Sequence, residues 1–345
     1  MSYISFQPND YFNTVLWTTD GTGNKALTTG HSTDMVWIKF RDYAYDHRIY
    51  DDVRGVTKKI IPNKTDAEST TTDLASFDTN GFTVGSNLNS SGEGGLVGWS
   101  WKANGSGSSN TDGDITSTVS VNTTSGFSIV KYTGDGTTGQ TVGHGLNSVP
   151  KLIINKQLTT QNWFVYHHSI GNTKVLKLNT TDAETTSSAM NNTTPTSSVF
   201  TIGTSASTNV SGEDFINYCF AEKKGFSKFG SYTGNGSTSS SPFIYTGFSP
   251  AFVIVKRTDA SANWVMTDNK ISFNGKGTYD SYVLFPSLNN AETDSYGLQL
   301  YSNGFGFAGT DSASATVNGS GANYIFMAFA EEPLVSSNGV PATAR

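Results

Sequence analysis

Leu96-Val97-Gly98-Trp99-Ser100-Trp101-Lys102-Ala103 decides the fold, because the same kind of stretch returns twice further along the chain. The two later stretches are Phe215-Ile216-Asn217-Tyr218-Cys219-Phe220-Ala221-Glu222 and Tyr324-Ile325-Phe326-Met327-Ala328-Phe329-Ala330-Glu331. Large apolar residues occupy every second position, the spacing of a β-strand with one face on a core. The alternating sets are Val97, Trp99 and Trp101; Ile216, Tyr218 and Phe220; and Ile325, Met327 and Phe329. We therefore expect one closing strand that is used three times.

An apolar run that ends in a lysine precedes each closing strand. The three runs are Met35–Lys39, Leu152–Lys156 and Phe252–Lys256. They are short and almost wholly apolar, which is typical of a central strand covered on both faces. The segment that follows each run, at 46–51, 162–167 and 263–268, predicts a hairpin with it.

Glycine pairs and a recurring glutamate complete the repeated order. Asp20-Gly21, Asp135-Gly136 and Asn235-Gly236 predict tight hairpin turns, because glycine readily adopts positive φ. A second glycine-rich turn follows at 89–92, 209–212 and 318–321. The glutamates, for which we expect a local capping or turn role, are Glu68, Glu184 and Glu292. The longer spacing in the third copy predicts an insertion within 269–280.

Composition supports an all-β fold rather than a helical one. The chain has 345 residues with 36 glycines, 12% aromatic residues and only 14% charged residues. Glycine, serine, threonine and asparagine favour turns and strands, while the aromatic content is enough to form a core. We predict three tandem small β-sandwich modules of jelly-roll type with little or no helix.

The predicted boundaries follow from the repeats and from local composition. Repeat 1 covers residues 1–104, repeat 2 covers 126–225 and repeat 3 covers 226–332. Residues 105–125 are rich in Gly, Ser and Thr, which predicts a flexible linker. Residues 333–345 have little to bury and predict a C-terminal arm.

Several functional classes are disfavoured by charge and hydropathy. The net charge of −6 is spread along the chain without a basic stripe, so we expect no nucleic-acid partner. No apolar stretch approaches ~18 residues and the first residues lack signal-peptide features, so we expect synthesis in a cytoplasm without membrane insertion. Cys219 lies in an apolar run and predicts a buried, unreactive thiol.

Several segments resemble a repeat module of marine tailed-phage virion proteins. They are Phe6–Trp17, Asp52–Val56, Ser76–Gly85, Gly98–Ala103, Tyr232–Gly236 and Phe248–Arg257. The resemblance covers all three repeats and implies an exterior structural component, such as a tail fibre, an appendage or a capsid decoration. The function of that family is uncharacterised, so it implies no site residues.

A charged cluster in repeat 1 is the densest candidate for acid–base chemistry. It consists of His47, Arg48, Asp51, Asp52 and Arg54. The equivalent positions in the other repeats hold different residue types, so we expect salt bridges at the surface or between modules rather than catalysis.

Other candidates weigh against a metal or a cofactor. His167 and His168 are adjacent in a predicted strand and would point to opposite faces, so with His144 they form no simple metal site. Asp112-Gly113-Asp114 has too few ligands for calcium. Turns such as Gly134-Asp135-Gly136 lack the helix of a phosphate loop. We predict no catalytic residues, no metal and no cofactor.

Trp163 and Trp264 occupy equivalent positions and leave two hypotheses open. We expect them to fill a core or a module interface; the alternative is an exposed platform on which sugars stack. The leading functional prediction is a non-enzymatic exterior virion protein whose partners are other virion proteins and further copies of itself, with a trimer as one arrangement. The alternatives are a carbohydrate-binding array for host attachment and, less favoured, a glycan depolymerase.

Overall fold

The computed structural model describes residues 6–271, 282–308 and 314–333. Across these residues the protein is all-β, with two 3₁₀ helices of three residues, Pro8–Asp10 and Ser86–Leu88, and no α-helix. The predicted fold class is therefore confirmed. The predicted arm beyond Pro333 and most of the predicted insertion within 269–280 lie outside the described residues, and the boundaries of the repeats stay a prediction.

Repeat 1 forms a large sheet, a smaller outer sheet and a short two-stranded ribbon. The large sheet has the order β1-β9-β3-β4, the outer sheet β2-β8-β7 and the ribbon β5-β6. The strands are β1 (Phe12–Thr18), β2 (Lys25–Thr28), β3 (Met35–Phe40), β4 (Arg48–Asp51), β5 (Lys58–Lys59), β6 (Ser69–Thr70), β7 (Leu74–Asp78), β8 (Gly81–Val84) and β9 (Gly95–Trp101).

Repeat 2 extends the same plan by additional strands at both edges. Its large sheet has the order β10-β11-β12-β19-β14-β15-β16-β17, and its outer sheet pairs β13 with β18. The strands are β10 (Ser108–Asn110), β11 (Ser117–Asn122), β12 (Phe127–Thr133), β13 (Gln140–Gly143), β14 (Leu152–Gln157), β15 (Phe164–His167), β16 (Lys174–Lys177), β17 (Thr185–Thr186), β18 (Val199–Ile202) and β19 (Asp214–Phe220).

Repeat 3 returns to the plan of repeat 1. Its sheets have the orders β20-β28-β22-β23, β21-β27-β26 and β24-β25. The strands are β20 (Ser227–Thr233), β21 (Ile244–Tyr245), β22 (Phe248–Arg257), β23 (Trp264–Asp268), β24 (Tyr282–Val283), β25 (Thr293–Asp294), β26 (Leu298–Tyr301), β27 (Gly304–Phe307) and β28 (Asn323–Pro333).

The same antiparallel pairing recurs in the three large sheets. Each closing strand lies between the opening strand and the apolar strand that ends in lysine, so β9, β19 and β28 are central. The registers also match, because Lys39 pairs with Val97, Lys156 with Ile216 and Lys256 with Ile325. The predicted hairpins β3–β4, β14–β15 and β22–β23 are confirmed.

The segment 105–125 is not a linker, contrary to the prediction. It contributes β10 and β11, and β11 pairs with β12 in the large sheet of repeat 2. Ser117 and Val119 are buried while Thr118 is exposed, so the start of β11 alternates like a half-buried strand despite the low apolar content of the segment. Ile115 and Val119 join the core of repeat 2 and hold the segment in place.

Glycine turns carry the chain between sheets instead of closing hairpins, which corrects a second prediction. Gly21, Gly136 and Gly236 have the expected positive φ, yet β1 pairs with β9 while β2 pairs with β8. A buried asparagine fixes each turn by accepting a hydrogen bond from its backbone. The bonds are Asp20 N to Asn89 Oδ1 (3.1 Å), Asp135 N to Asn209 Oδ1 (2.9 Å) and Asn235 N to Asn318 Oδ1 (2.9 Å).

The central strands of the large sheets are buried on both faces. One face of each packs on the outer sheet of its own repeat, which gives three separate cores. The other face packs on the other two repeats, and its residues form a single cluster that we call the shared core. The alternating apolar residues of all three closing strands, from Val97 to Phe329, belong to the shared core.

Three aromatic rings meet at the centre of the shared core, one from each closing strand. The ring centroids of Trp101 and Phe220 lie 6.4 Å apart, those of Trp101 and Phe329 5.7 Å and those of Phe220 and Phe329 5.7 Å. These residues hold equivalent positions in the repeats, so the rings mark an approximate threefold axis. The described residues therefore form one body, in which each repeat has a smaller core of its own and also contributes to the shared core.

Removing a ring at this axis should destabilise all three repeats together. We expect Phe329→Ala to lower the free energy of unfolding by about 3–5 kcal/mol, because the ring contacts residues of every repeat. The measurement is denaturant unfolding followed by circular dichroism, with Tyr43→Ala, at an exposed tyrosine, as the control. If repeat 3 of Phe329→Ala unfolded in a separate, earlier transition while the other repeats stayed folded, this would contradict the shared core.

Candidate functional site

The residues that the sequence singled out lie mainly at the three interfaces between repeats. His47, Trp163 and Trp264 hold equivalent positions, and each places a ring nitrogen on a backbone oxygen of a neighbouring repeat. The pairs are His47 Nε2 and Phe285 O at 3.0 Å, Trp163 Nε1 and Ile61 O at 3.0 Å, and Trp264 Nε1 and Lys177 O at 2.9 Å. All three side chains are buried, so the interface hypothesis for the tryptophans is confirmed and the exposed sugar platform at these positions is wrong.

A second set of equivalent residues contacts the next closing strand. Asp51, His167 and Asp268 each end a hairpin strand and point into the shared core. Tyr218 Oη donates to Asp51 Oδ2 at 2.7 Å, Trp99 Nε1 donates to Asp268 Oδ2 at 2.9 Å, and His167 Nε2 lies 3.3 Å from Phe326 O. The contacts run in a circle, from repeat 1 to 2, from 2 to 3 and from 3 to 1.

The residue type in this set matches its partner. Tyr218 and Trp99 carry polar hydrogens, and a carboxylate faces each of them. The equivalent residue in repeat 3 is Met327, which has no donor, and there a histidine uses a backbone carbonyl instead. An aspartate opposite Met327 would be a buried charge without a donor, which is costly.

Burial sets the protonation of these groups. Burial, reinforced by the charge of His168, lowers the pKa of His167 to about 3, so the imidazole is neutral and its Nε2–H donates. Burial, followed by the charge of Lys39, lowers the pKa of His47 well below its usual value. Neutral His47 accepts a hydrogen bond from Trp37 Nε1 at 2.9 Å through Nδ1. Neither imidazole therefore gains or loses a proton near neutral pH.

Asp51 belongs to an ion-pair network that reaches across the first interface. Arg54 Nε lies 2.6 Å from Asp51 Oδ2, and Arg54 Nη1 lies 3.2 Å from Glu68 Oε2. Burial and the neighbouring carboxylate raise the pKa of Tyr218 well above its usual value, so its hydroxyl stays protonated and donates. The salt bridges of this cluster, including Arg48 with Asp73, therefore lie within repeat 1 and not between modules as the prediction allowed. The network crosses the interface through the hydrogen bond from Tyr218 to Asp51.

The recurring glutamates also lie at the interfaces, which corrects the predicted local turn role. Each donates its backbone N–H to the neighbouring repeat, to the carbonyl of the residue two positions after the recurring lysine. The bonds are Glu68 N to Leu158 O (2.8 Å), Glu184 N to Thr258 O (2.8 Å) and Glu292 N to Arg41 O (2.7 Å). At the third interface the Arg41 guanidinium also binds the Glu292 carboxylate with two bonds, of 2.7 and 2.8 Å.

The lysines that close the apolar strands were not predicted to have this role. Lys39, Lys156 and Lys256 are fully buried, and their ammonium groups donate to backbone carbonyls. Two of them reach a neighbouring repeat, since Lys156 Nζ lies 3.3 Å from Thr65 O and Lys256 Nζ 3.1 Å from Thr181 O. Burial lowers the pKa of each lysine to about 8. The signal was the same lysine at the end of three apolar strands.

The remaining candidates are dispersed. His168 lies past the end of β15, so its ring stacks on His167 at 5.1 Å instead of pointing to the opposite face as predicted. His144 is separate from that pair and contacts Thr196 O. Asp114 accepts from Thr141 while Asp112 accepts from Asn110, so the two carboxylates have separate partners. Within the described ranges, no group of three or more His, Cys, Asp or Glu residues is placed to hold a metal ion.

Cys219 lies in the core of repeat 2, and burial raises the pKa of its thiol. The prediction of a buried, unreactive cysteine is consistent with both facts.

Two surfaces of the described molecule are open to a ligand. A polar groove of about 380 Å³ lies between repeats 2 and 3 and includes the Lys174–Glu184 ion pair, Thr258 and Asn323. The outer sheet of repeat 3 exposes Phe243, Tyr245 and Tyr301. Within the part of the chain that is described, no helix is long and apolar enough to cross a membrane.

A family model described as "Domain of unknown function (DUF7483)" matches residues 7–333. The chain belongs to this family. The matched range starts before β1 and ends with β28, so the DUF7483 model covers all three repeats together with the shared core. No curated protein matches the chain, and no solved structure matches it.

At the interfaces an aspartate faces a side-chain donor and a histidine faces Met327. This pairing rule can be tested by a compensating double substitution. We expect His167→Asp to destabilise the fold by about 3 kcal/mol, because the buried carboxylate would lack the side-chain donor that Asp51 and Asp268 have on the neighbouring closing strand. Adding Met327→Tyr supplies a hydroxyl at the position equivalent to Tyr218, beside an apolar cavity of about 20 Å³. The measurement is a double-mutant cycle by chemical unfolding, and the pair should recover at least about 1 kcal/mol. Additive losses would contradict the rule.

Asp268 should make stability depend on pH in mildly acidic solution. Burial raises the pKa of its carboxyl to about 6, from a reference of 3.8. The folded state therefore holds the proton more tightly than the unfolded state, and this contribution to stability is full below pH ~4 and lost as the pH rises through ~6. We expect the free energy of unfolding of wild type to fall by about 3 kcal/mol relative to that of Asp268→Asn over that range. Asp259→Asn is the control, because Arg257 lowers the pKa of that carboxyl and reverses the trend.

Proposed function

We propose that this protein is an exterior structural component of a tailed-phage virion, either a tail fibre or appendage subunit or a capsid decoration. The resemblance of its segments to virion repeat modules supports the proposal. The protein would present β-sheet surfaces and loops for assembly and for contact with the host. It would act on the outside of the particle.

The shared core is the observation that carries the proposal. Three repeats of one chain bury a common face around Trp101, Phe220 and Phe329, so the molecule is braced as a single unit. Loops and outer sheets then point away from the axis and can vary in sequence without disturbing the core. A rigid body with variable exposed loops suits a structural and adhesive role.

The buried polar groups support a role without catalysis. Asp51, Asp268, His47 and His167 are buried, and each makes a hydrogen bond to a neighbouring repeat in addition to bonds within its own repeat. A depolymerase needs two carboxyl groups that face each other across an open groove. Glu68 and Glu184 instead lie beside the cations Arg54 and Lys174. These placements disfavour the depolymerase alternative.

Association with further copies is part of the proposal. A single chain builds its approximate threefold core from its own repeats, so a homotrimer is not needed to complete it. Contacts with other virion proteins, or with more copies of this chain, would use the outer surfaces. A carbohydrate-binding array with a platform on every repeat is disfavoured, because Trp163 and Trp264 are buried.

Location on the particle tests the proposed function directly. We expect mass spectrometry of purified particles to find the chain in constant copy number, and an antibody against it to label intact particles. An antibody against an internal protein of the same particle, which labels only opened particles, is the control. Absence of the chain from purified particles, or labelling only after disruption, would refute the proposal.

A further inference from the structure

Three aromatic side chains stand out on the surface of repeat 3. Phe243 is 51% exposed, Tyr245 54% and Tyr301 40%, values that are high for large apolar residues. All three belong to the outer sheet or its edge, where β27 lies between β21 and β26. We call these three residues the aromatic platform. Clustered exposed rings of this kind mark interaction sites more often than chance.

The central strand of this sheet is shaped to receive the rings. Phe305 and Phe307 of β27 point inwards to the core of repeat 3, whereas Gly304 and Gly306 alternate with them and point outwards. A Cβ atom on Gly304 would lie 2.8 Å from Cζ of Phe243, and one on Gly306 would lie 3.1 Å from a ring carbon of Tyr301. The rings therefore lie against the strand itself. Glycine inside a strand commonly marks such a close approach.

The rings form a surface rather than separate protrusions. The centroids of Phe243 and Tyr301 are 5.9 Å apart with an angle of 44° between the ring planes. Tyr245 and Tyr301 both pair across to Gly304, one from each side. Phe243 and Tyr301 lie over the glycines of β27 and Tyr245 lies beside them. The three residues make a shallow surface on which a flat ligand can stack.

The fold does not require these aromatic residues. The sheet registers make Phe305 of repeat 3 equivalent to Phe82 of repeat 1 and to Phe200 of repeat 2. The pairs that show this are Phe305 with Ile244, Phe82 with Leu27 and Phe200 with Val142. The positions equivalent to the platform residues are then small or polar. They are Ala26, Thr28 and Asp78 in repeat 1, and Thr141 and Gly143 in repeat 2. Repeats 1 and 2 form their outer sheets without a platform, so the rings of repeat 3 serve another purpose.

The two segments that form the platform carry no charged side chain. They are 234–251 and 295–308, which contain no Asp, Glu, Lys or Arg. Their polar residues are neutral hydrogen-bonding groups such as Ser302, Asn303 and Gln299, and the platform adds two tyrosine hydroxyls. A polyphosphate ligand requires basic residues, so this surface does not suit nucleic acid. Aromatic faces with a neutral hydroxyl and amide rim suit an uncharged polyol with apolar C–H faces.

We propose that the aromatic platform is a binding site for neutral saccharides, one site per chain, located on repeat 3. The C–H face of a pyranose ring stacks on Tyr245, Tyr301 and Phe243, while its hydroxyl groups exchange hydrogen bonds with the rim. This inference deepens the adhesive part of the proposed function and gives it a ligand class. Binding can be measured on the isolated chain, so its failure is distinct from absence of the protein from virions.

The test is affinity electrophoresis of the full chain through gels containing dextran, laminarin, mannan or galactan. We expect at least one of these neutral polysaccharides to retard wild type, and the anionic polymers alginate and chondroitin sulfate not to. Tyr245→Ala and Tyr301→Ala should each weaken binding about tenfold, the loss expected for one stacked ring. Tyr301→Phe should retain most of the binding. The matched control is Tyr43→Ala, which removes a similarly exposed tyrosine, 45% exposed, from repeat 1.

Other results would overturn the inference. Retardation by none of the four neutral polysaccharides would refute it, as would retardation that Tyr245→Ala and Tyr301→Ala leave unchanged. Sedimentation of the same variants tests a second copy as the occupant: a dimer that Tyr245→Ala dissociates, without polysaccharide binding, would assign the platform to self-association instead. Thermal melts of each variant establish that a loss of binding does not reflect unfolding.

Discussion

Contact among Trp101, Phe220 and Phe329 is the constraint on which the rest of the structure depends. Each ring comes from the central strand of a large sheet, so all three sheets must turn the same face to one axis. This arrangement buries the central strands of the sheets on both sides and leaves polar turns on the outside. It also removes the need for linkers, and the segment at 105–125 is accordingly used as sheet edge. The family model, which spans residues 7–333, covers this arrangement as a whole.

The periodicity of the sequence predicted the strands but not what each face of a strand packs against. The alternation of Val97, Trp99 and Trp101 identified one apolar face, and this face could as well have belonged to an isolated sandwich. The missing signal was the opposite face, where Phe215 and Cys219 are also apolar and already supply the core of repeat 2. A strand with two apolar faces needs two cores. The sequence alone could not show that the second core is common to three repeats, because this depends on how the repeats pack against one another in space.

Polar residues were harder to interpret than apolar ones. The recurring glutamates suggested local turns and the lysines had no predicted role, yet Lys156 and Glu184 bind the neighbouring repeat through a backbone carbonyl and a backbone amide. Such contacts depend on distance across an interface and leave no spacing pattern of their own. The exposed rings at Phe243, Tyr245 and Tyr301 were missed for a related reason, since strand alternation does not tell which face is covered.

The three interfaces are alike in geometry but not in chemistry. Asp51 meets Tyr218, Asp268 meets Trp99, and His167 takes a carbonyl beside Met327. A repeat bearing either aspartate, docked against Met327 by mistake, would trap a carboxylate without its donor. Tandem duplicates are prone to exchange partners between neighbouring chains or to assemble in the wrong cyclic order. The unequal pairs disfavour every arrangement in which an aspartate faces Met327, so the copies of the module are not freely interchangeable.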